Sequence, residues 1–508
     1  MNCAQLLINT AERLPNKVAI VFRGQEITFG DLKERVFRFA NGLIEAGIQP
    51  NDHVALLMPN CPQYIISYFG ILVAGATVVP ANPMYTPREL TYILNNSDAK
   101  AVVYHELIKP VIEAVKPNLE MTEHFFEYSE QNEHCSWNIV ANVSPIASLA
   151  QRDAEDIAQI LYTSGTTGNP KGVMITHDNL TFITGILIRE LGVIESDRII
   201  VVLPIFHVLS KMAALWTALT QGSTIFLEER FVPDAILEMI GKVQATVFYG
   251  VPTMFTLFSM SPRINEFDYS SLRLFGSGGA SIPVEIIERI QKSIGVTLSE
   301  AYGQTESTVI ITCQPINGEQ IPGSVGLPVE GIGFRIADPE GNDVAQGQIG
   351  EIVFNGRGAM KGYYKNPDAT AATIRDGWVH TGDLAYQDEK GNVYIVDRIK
   401  DMIIRGGYNI YPREIEEVLY THPAIAECAI VGEPNPVLGE EIVAFIVPRA
   451  DVTEEDIQAY CAQHLAEYKV PRVYHFLDSL PKNATGKTLK EPLRKRVKQS
   501  ETTSSSKN

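Results

Sequence analysis

The sequence predicts an α/β fold with a large N-terminal domain of parallel sheets and a smaller α+β domain after it. First, helical patterns alternate with short β-rich runs, such as "HVALLMP" (53–59) and "KAVVYH" (100–105), up to about residue 155. Second, the alternation resumes over 157–260, which is typical of βαβ units. Third, 508 residues exceed one core and predict about three domain-sized units.

The middle of the chain supplies the strands that position a ligand site. Four apolar runs are interpreted as strands: "IAQILYT" (157–163), "RIIVVLP" (198–204), "STIFLE" (223–228) and "ATVFYGVP" (245–252). Two further strands run into polar, glycine-containing loops, "LFGSGGASIP" (274–283) and "LSEAYGQTES" (298–307). Loops at strand ends build the ligand site in open α/β sheets.

The rest of the chain changes character twice. Short strands and glycine turns over 323–397 predict a small β-barrel-like subdomain. A junction follows at 396–423, where Pro412 suits the first turn of a helix. We expect an N-terminal domain at 1–397, a connection at 398–401, a C-terminal domain at 402–497 and a disordered tail at 498–508.

Composition excludes several classes of protein. The formal net charge of −18 argues against nucleic acid or an anionic membrane as partner. The six cysteines form neither a C-x-x-C pair nor a Cys/His cluster, which disfavours a zinc site or a disulfide framework and indicates a cytoplasmic protein. The N-terminus becomes polar too soon for a signal peptide, and the apolar run 64–82 is interpreted as a buried helix followed by a strand.

The stretch "YTSGTTGNPKG" (162–172) almost matches a phosphate-binding loop. Counting from Gly165, Pro170 fills the second glycine position and Gly172 replaces the usual Ser or Thr. Its flanks predict strand–loop–strand, so no helix dipole assists. Phosphate would instead meet glycine N–H groups, hydroxyls and a lysine: Ser164, Thr166, Thr167 and Lys171. A flexible surface loop is the equally open alternative on composition alone.

Seven further motifs follow this loop in order along the chain. They are "LPIFH" (203–207), "GSGGAS" (276–281), "YGQTE" (302–306), "GWVHTGD" (377–383), "YIVDRIKD" (394–401), "GGYNIYPREIE" (406–416) and "PKNATGK" (481–487). The chain thereby resembles the adenylate-forming (ANL) superfamily, which includes acyl-CoA synthetases, luciferases and adenylation domains of peptide synthetases. Within it the sequence is most similar to bacterial medium- or long-chain fatty-acid–CoA ligases.

The resemblance implies a two-step reaction with ATP, Mg²⁺ and CoA. A carboxylate, already ionised at neutral pH, attacks the α-phosphate and pyrophosphate leaves; CoA then displaces AMP. Because two anions must meet, catalysis is positioning and charge stabilisation. The catalytic residues implied are Lys171, His207, Thr305, Glu306 and Lys487. Thr163 and Glu306 would hold the metal ion.

The resemblance also assigns the nucleotide site. Tyr302 would stack on adenine against the wall Gly278–Ala280, and Asp383 and Arg398 would bind the ribose. The full expected set is Thr163, Ser164, Gly165, Thr166, Thr167, Gly168, Lys171, Gly278, Gly279, Ala280, Tyr302, Gly303, Gln304, Thr305, Asp383, Arg398 and Lys487. A buried core tyrosine is the ordinary alternative for Tyr302. The "GSGGAS" stretch fails the G-x-G-x-x-G/A pattern at Ser281, which disfavours NAD binding.

In the ANL superfamily the C-terminal domain rotates between the two half-reactions, which makes it mobile. Lys487 would bridge the substrate carboxylate and the α-phosphate in the first. Lys400 occupies the hinge position, and Gly406, Gly407 and Tyr408 would enter the site for thioester formation with CoA. A solvated terminal lysine and an ordinary Gly-Gly turn are the alternatives.

The acyl pocket is expected near His207 and the residues Tyr249, Gly250 and Val251. These segments carry no acidic residue for an α-amino group, which disfavours an amino-acid substrate. The substrate expected is a medium- or long-chain fatty acid; an aryl acid of cinnamate or benzoate type stays open, as does an adenylating enzyme that loads a carrier protein. A non-enzymatic binding protein would be expected to lack Lys487 or Glu306. The partners expected are small molecules, with neither nucleic acid nor an integral membrane, and a homodimer is left open.

Overall fold

A nine-stranded mixed sheet forms one half of the N-terminal region. The computed structural model describes residues 1–163, 169–483 and 486–505, with side chains as far as 497. Six central strands are parallel and antiparallel strands complete both edges. From edge to edge they are β15 (Leu327–Pro328), β14 (Thr312–Cys313), β13 (Leu298–Tyr302), β12 (Leu274–Ser277), β11 (Val247–Gly250), β9 (Arg198–Val201), β10 (Thr224–Leu227), β1 (Val18–Phe22) and β2 (Gln25–Thr28).

A seven-stranded sheet forms the other half. Five strands run parallel, and the remaining two extend one edge as antiparallel partners. In spatial order they are β18 (Gly362–Tyr363), β8 (Lys171–Thr176), β7 (Ile157–Thr163), β4 (Thr77–Pro80), β3 (His53–Leu57), β5 (Ala99–His105) and β6 (His124–Tyr128). The antiparallel pair β7–β8 brackets the phosphate-loop motif, so the expected strand–loop–strand flanks are confirmed.

Helices cover both sheets. They are α1 (Gln5–Arg13), α2 (Phe29–Glu45), α3 (Pro62–Val73), α4 (Pro87–Asn96), α5 (Lys109–Val115), α6 (Ser136–Ala141), α7 (His177–Glu190), α8 (Thr217–Gln221), α9 (Pro233–Lys242), α10 (Pro252–Met260), α11 (Val284–Ile294), α12 (Pro367–Thr373), α13 (Pro412–Tyr420), α14 (Glu454–His464) and α15 (Lys490–Ser505). Thr28, Thr86 and Thr176 cap α2, α4 and α7 through reciprocal capping boxes, which satisfy free N–H groups of the first turn. Helix α3 is buried on all sides within a core to which both sheets contribute, as expected for an apolar helix.

A small antiparallel sheet lies between the large sheets and the C-terminal region in the chain. Its strands are β16 (Gly333–Ala337), β17 (Gly350–Asn355), β19 (Ile374–Arg375), β20 (Trp378–Gln387) and β21 (Val393–Arg398). Register shifts in β17–β20 and β20–β21 bend the sheet. This is the β-rich subdomain expected over 323–397.

The C-terminal region is an α+β unit built on a second five-stranded sheet. Its strands are β22 (Ile403–Arg405), β23 (Tyr408–Ile410), β24 (Ile425–Asn435), β25 (Gly439–Pro448) and β26 (Val473–Phe476). Side chains alternate across the sheet: Ile430 and its neighbours meet α13 and α14, whereas Val431 and its neighbours meet α15. Helices therefore cover both faces.

The α/β fold class is confirmed, and the interpretation of 64–82 as helix α3 followed by β4 is correct. Within the described ranges, no helix has the length and apolar character to cross a membrane. All six cysteines are buried and unbonded to each other. The domain boundaries stay a prediction; α15 runs to Ser505, and residues 506–508 of the expected tail lie outside the described residues.

Candidate active site

Thr163 and Lys171 flank the loop of the phosphate-loop motif. Thr163 ends β7, Lys171 begins β8, and the two residues pair across the antiparallel ladder. The pairing places one hydroxyl and one ammonium at the mouth of the intervening loop. Five residues expected to contact phosphate lie outside the described residues: Ser164, Gly165, Thr166, Thr167 and Gly168.

Tyr363 connects Lys171 to Glu306. The Lys171 ammonium lies 4.9 Å from the centre of the Tyr363 ring, within cation–π range. The Tyr363 hydroxyl donates to Glu306 Oε1 at 2.9 Å. Sequence reasoning missed Tyr363. The only signal was its place in "KGYYKNP" (361–367), a tyrosine pair between lysines.

The Glu306 carboxylate is the candidate ligand for Mg²⁺. Burial raises its pKa, so the fold alone leaves its negative charge poorly compensated. Within the described ranges, no cluster of three or more His, Cys, Asp or Glu side chains is arranged around a metal position. Mg²⁺ typically keeps several waters and binds one or two carboxylates plus substrate phosphates, so a single carboxylate at Glu306 fits this ion.

The backbone is strained directly after the turn that carries Thr305 and Glu306. Thr308 has φ of 58° and Val309 has φ of 128°, values that β-branched residues rarely adopt. Gly303 precedes the turn, and a Cβ there would lie 2.1 Å from the Val309 carbonyl oxygen. The glycine therefore permits the close approach that holds the turn against the next segment. Backbone strain of this kind concentrates at functional sites.

A hydrogen-bonded group of three side chains connects the end of β13 to the small antiparallel sheet. The Tyr302 hydroxyl donates to Asp383 Oδ2 at 2.7 Å, and Arg398 Nε lies 3.1 Å from Asp383 Oδ1. Asp383 and Arg398 face each other as a pair in the β20–β21 ladder. The structure thus brings together the residues expected at adenine and ribose, from β13, β20 and β21.

The expected flat wall follows β12. Gly279 has φ of 82°, a conformation that favours glycine, and a Cβ on Gly278 would lie 3.2 Å from a Leu209 methyl group. Ala280 continues the same loop. Gln304 precedes the Thr305 turn, and its buried Nε2 has no hydrogen-bond partner among the described residues. That orphan donor is available to a ligand.

The segment that carries Lys487 lies against the N-terminal region. The Thr253 hydroxyl of α10 donates to the Gly486 carbonyl at 2.8 Å. Asn483 fastens the turn, because its side-chain oxygen accepts from the Lys487 N–H and its own N–H donates to the Lys487 carbonyl, both at 2.9 Å. Thr253, in the "FYGVPTMF" stretch, was expected only as a neighbour of the acyl pocket.

The charged side chains that act on Lys487 include Arg398 and Asp383, which are expected at the ribose. Burial, then the positive charge of Arg398, lower the Lys487 pKa to about 8, while Asp383 acts in the opposite direction. The same lysine and Lys211 help burial lower the pKa of His207 to about 4, so His207 is neutral at pH 7. Lys487 therefore lies within electrostatic range of both the ribose group and the acyl side.

The expected acyl-pocket residues lie at the end of β11. Tyr249 and Gly250 are its last residues, and Val251 and Tyr249 are about 95% buried. Leu209, two residues after His207, packs near Val251 across Gly279. The structure therefore brings His207 and these residues to one apolar region beside Lys487.

The residues expected to serve CoA form an exposed turn of the C-terminal region. Gly406 and Gly407, with φ of 59° and 84°, form the turn between β22 and β23, and Tyr408 is 58% exposed. Tyr408 stacks on Tyr468, with ring centres 4.7 Å apart. Lys400 lies in the exposed turn after β21. The structure thus joins residues expected to act in adenylation and leaves the Gly-Gly turn exposed.

Polar groups of the kind that bind a nucleotide, together with a lysine from the C-terminal region, are features of the adenylate-forming class of α/β enzymes. Comparison with known proteins assigns the chain to the same class. The AMP-binding enzyme family model matches residues 7–364, and its C-terminal domain model matches 414–487. The chain belongs to this family of AMP-binding enzymes, within its acyl-CoA ligases.

Relatives with different acid substrates match almost the whole chain. A long-chain-fatty-acid–CoA ligase of Bacillus subtilis is 36% identical, covering 96% of this chain and 93% of the relative. A feruloyl-CoA synthase of Amycolatopsis is also 36% identical, covering 96% and 98%. The solved anthranilate CoA ligase AuaEII with anthranoyl-AMP has a TM-score of 0.94 at 30% identity, covering 99% and 98%.

Proposed function

We propose that the protein joins a medium- or long-chain fatty acid to CoA through an acyl-adenylate. ATP, Mg²⁺ and CoA are the cosubstrates and cofactor of this ligase. The observation that carries the proposal is the docking of the Lys487 segment on Thr253, within electrostatic range of Arg398, Asp383 and His207. One cation from the C-terminal domain thereby reaches the place where two anions react.

In the first half-reaction the acid carboxylate attacks the α-phosphorus of ATP, and the bond from that phosphorus to the bridging oxygen breaks. Lys487 neutralises the carboxylate and the α-phosphate, and Lys171 and Thr305 bind phosphate oxygens. Asp383 accepts from ribose hydroxyls, and Arg398 donates beside it. Mg²⁺, when bound, supplies charge neutralisation of the phosphates, and Thr163 and Glu306 would hold it. Tyr363 positions both Glu306 and Lys171.

In the second half-reaction the CoA sulfur attacks the acyl carbonyl, and the carbon–oxygen bond to AMP breaks. The thiol proton passes to solvent and AMP leaves. Lys487 must withdraw first, because its segment fills the approach beside Val251 and Thr253. Rotation about Lys400 would bring Gly406, Gly407 and Tyr408 to the site. The domain division at 398–401 is part of this proposal.

An aryl acid is the second candidate substrate. A feruloyl-CoA synthase is as similar to the chain as the fatty-acid ligase of Bacillus subtilis, and an anthranilate CoA ligase shares its fold over almost the whole chain. The pocket residues Tyr249 and Val251 are apolar, so an alkyl chain and an aromatic ring are both compatible. A specificity series therefore has to include both classes.

Pyrophosphate release measured across acids, with and without CoA, tests the proposal. The series runs from acetate to palmitate and includes cinnamate and benzoate. We expect the highest kcat/KM for an acid of medium or long chain, with AMP formed in proportion to CoA consumed. Release without CoA consumption would indicate an enzyme that stops at the adenylate or passes it to a carrier protein. Absence of release with every acid tested would exclude enzymatic activation.

Removal of the Thr253 hydroxyl is expected to slow adenylate formation selectively. Thr253→Val loses the 2.8 Å hydrogen bond to the Gly486 carbonyl, which contributes about 1 kcal/mol. Adenylate formation should fall roughly fivefold, and thioester formation from preformed acyl-adenylate should stay unchanged. Single-turnover assays of each half-reaction measure this, with Thr253→Ser as the control that keeps the hydroxyl. Equal slowing of both steps by Thr253→Val would contradict the docking role.

The pH dependence of adenylation is expected to follow Lys487. The Lys487 side chain must be protonated to neutralise the two reactants, and burial lowers its pKa to about 8. Because kcat/KM reports groups of the free enzyme, kcat/KM for pyrophosphate release should decline as the pH rises through about 8. The positive charge of Lys400 contributes to the lowered value. Lys400→Gln should therefore shift this decline to higher pH; an unchanged profile would contradict the assignment.

A further inference from the structure

Lys211 is a buried lysine that the reaction above does not use. It lies in the π-helix Ser210–Trp216, and its N–H donates to the His207 carbonyl at 3.1 Å. The side chain is fully buried, and its Nζ has no hydrogen-bond partner among the described residues. A π-helical segment within a helix is frequently found at a functional site.

The side chains around Lys211 offer donors. Its Nζ lies 5.2 Å from the centre of the Tyr68 ring, and the Tyr68 hydroxyl donates to Gln159 Oε1 at 2.9 Å. Gln159 Nε2 and the Tyr64 hydroxyl are buried without a hydrogen-bond partner among the described residues. Tyr64 stacks on Tyr68 with ring centres 6.3 Å apart. Trp216, whose ring centre lies 6.2 Å from that of Tyr68, adds a buried Nε1 without a partner among the described residues. Four unsatisfied polar groups therefore surround one tyrosine, and an oxygen acceptor would complement them.

A purely structural role does not explain this lysine. Lysine is rarely fully buried unless paired, and an unpaired buried amine destabilises the fold relative to an apolar side chain. Burial lowers its pKa well below the ordinary value, with no carboxylate of the described residues acting against that shift. A methionine or leucine would fill the same space without that cost, so the amine indicates a ligand.

The location of Lys211 is on the acyl side of the site. The π-helix packs against β11, whose last residues Tyr249 and Gly250 are the expected pocket residues. Lys211 also contributes to the lowered pKa of His207, so the two side chains are within electrostatic range. Lys487 acts on His207 as well, from the reacting end. Lys211 is therefore placed for the distal part of an acyl chain that passes His207.

We propose that Lys211 binds an oxygen at the far end of the acyl chain, so that the substrate is an ω-oxygenated fatty acid. The terminal group would be a carboxylate or a hydroxyl, both of which accept hydrogen bonds from the lysine. The proposal rests on the proposed function, since it names the class of fatty acid that the same site selects. Lys211 is then a specificity-determining residue for the tail, and Lys487 remains the cation for the reacting carboxylate.

Competition between acids of equal length tests this assignment. Pyrophosphate release is measured for a fatty acid, its ω-hydroxy derivative and the corresponding α,ω-dicarboxylic acid at each of several chain lengths. We expect kcat/KM for one of the oxygenated acids to exceed that of the methyl-terminated acid roughly 100-fold, because a buried donor left unpaired penalises the plain acid. The ω-hydroxy and ω-carboxy arms distinguish the two terminal groups.

Lys211→Met provides the matched change, since methionine has similar length and no charge. This variant should lose the preference for the oxygenated acid and gain activity with the methyl-terminated acid. Met212→Leu, a volume-conserving change at the adjacent buried position, should keep the wild-type preference. Thermal unfolding should show that Lys211→Met is at least as stable as the wild type, because a buried unpaired amine is removed.

Two outcomes would overturn the inference. If the wild type uses plain fatty acids as efficiently as oxygenated ones and Lys211→Met leaves the ratio unchanged, the role of Lys211 is wrong while the proposed function stands. If no aliphatic acid of either kind supports pyrophosphate release, both the inference and the proposed function fail.

Discussion

Lys487→Ala is expected to lower the rate of acyl-adenylate formation about 10²–10³-fold, the cost of removing one preorganised charge from a reaction between anions. Its segment reaches the site through the contact between Thr253 and Gly486. The variant should still convert preformed acyl-adenylate and CoA to acyl-CoA, because that step occurs after Lys487 has withdrawn. Pyrophosphate release and single-turnover thioester formation measure the two steps separately.

The control for this change is Lys495→Ala. Lys495 is 69% exposed and pairs with Glu491 on the surface of α15, so its loss should leave both half-reactions unchanged. Full-rate adenylation by Lys487→Ala would show that a different group joins the two anions, and the proposed mechanism would then be wrong.

Lys400→Pro is expected to leave adenylation within about twofold of the wild type and to slow thioester formation at least 100-fold. The backbone hydrogen bonds recorded in this turn are donated by Ile399, Asp401 and Met402, so a proline at position 400 removes none of them. Proline fixes its own φ and restricts Ile399 before it, which limits the conformations that the turn can reach during rotation. The adenylation arrangement would persist, and the rotation would be blocked.

Glu389→Pro is the matched control, since it places a proline in another exposed turn. Position 389 is the second residue of the turn closed by the Gly391 N–H and the Asp388 carbonyl, where proline is favoured. Both half-reactions should stay at the wild-type rate in this variant. Lys400→Ala should resemble the wild type more than Lys400→Pro does, because it keeps backbone freedom. Equal losses in both half-reactions for Lys400→Pro would refute a hinge at this position.

Much of the fold follows from local sequence patterns. The apolar runs at 157–163 and 245–252 and the helix from Pro412 are short-range signals, and the structure has a strand within each run and the helix. The order of strands in the sheets does not follow from such signals. In the nine-stranded sheet β1 lies between β10 and β2. Its pairing with β10 joins segments some 200 residues apart, which no local pattern predicts.

The candidate site likewise contains residues that sequence motifs predict and residues that only the structure reveals. Tyr302, Asp383 and Arg398 belong to three motifs that the sequence displays, and the structure joins them through hydrogen bonds and an ion pair. Tyr363, Thr253 and Lys211 are single residues in ordinary surroundings, and their importance lies in contacts with distant segments. A buried unpaired amine is visible only once the surrounding side chains are in place, so sequence reasoning had no means to find Lys211.

The burial of all six cysteines bears on the fate of the activated acid. An acyl-adenylate is a mixed anhydride that would acylate any accessible thiolate of the protein. Burial raises the pKa of Cys61 and Cys313 to about 12, and it raises the pKa of Cys3, Cys428 and Cys461 as well. These thiols stay protonated and shielded at physiological pH. The enzyme thereby protects itself from covalent modification by its own intermediate and leaves the sulfur of CoA as the acceptor.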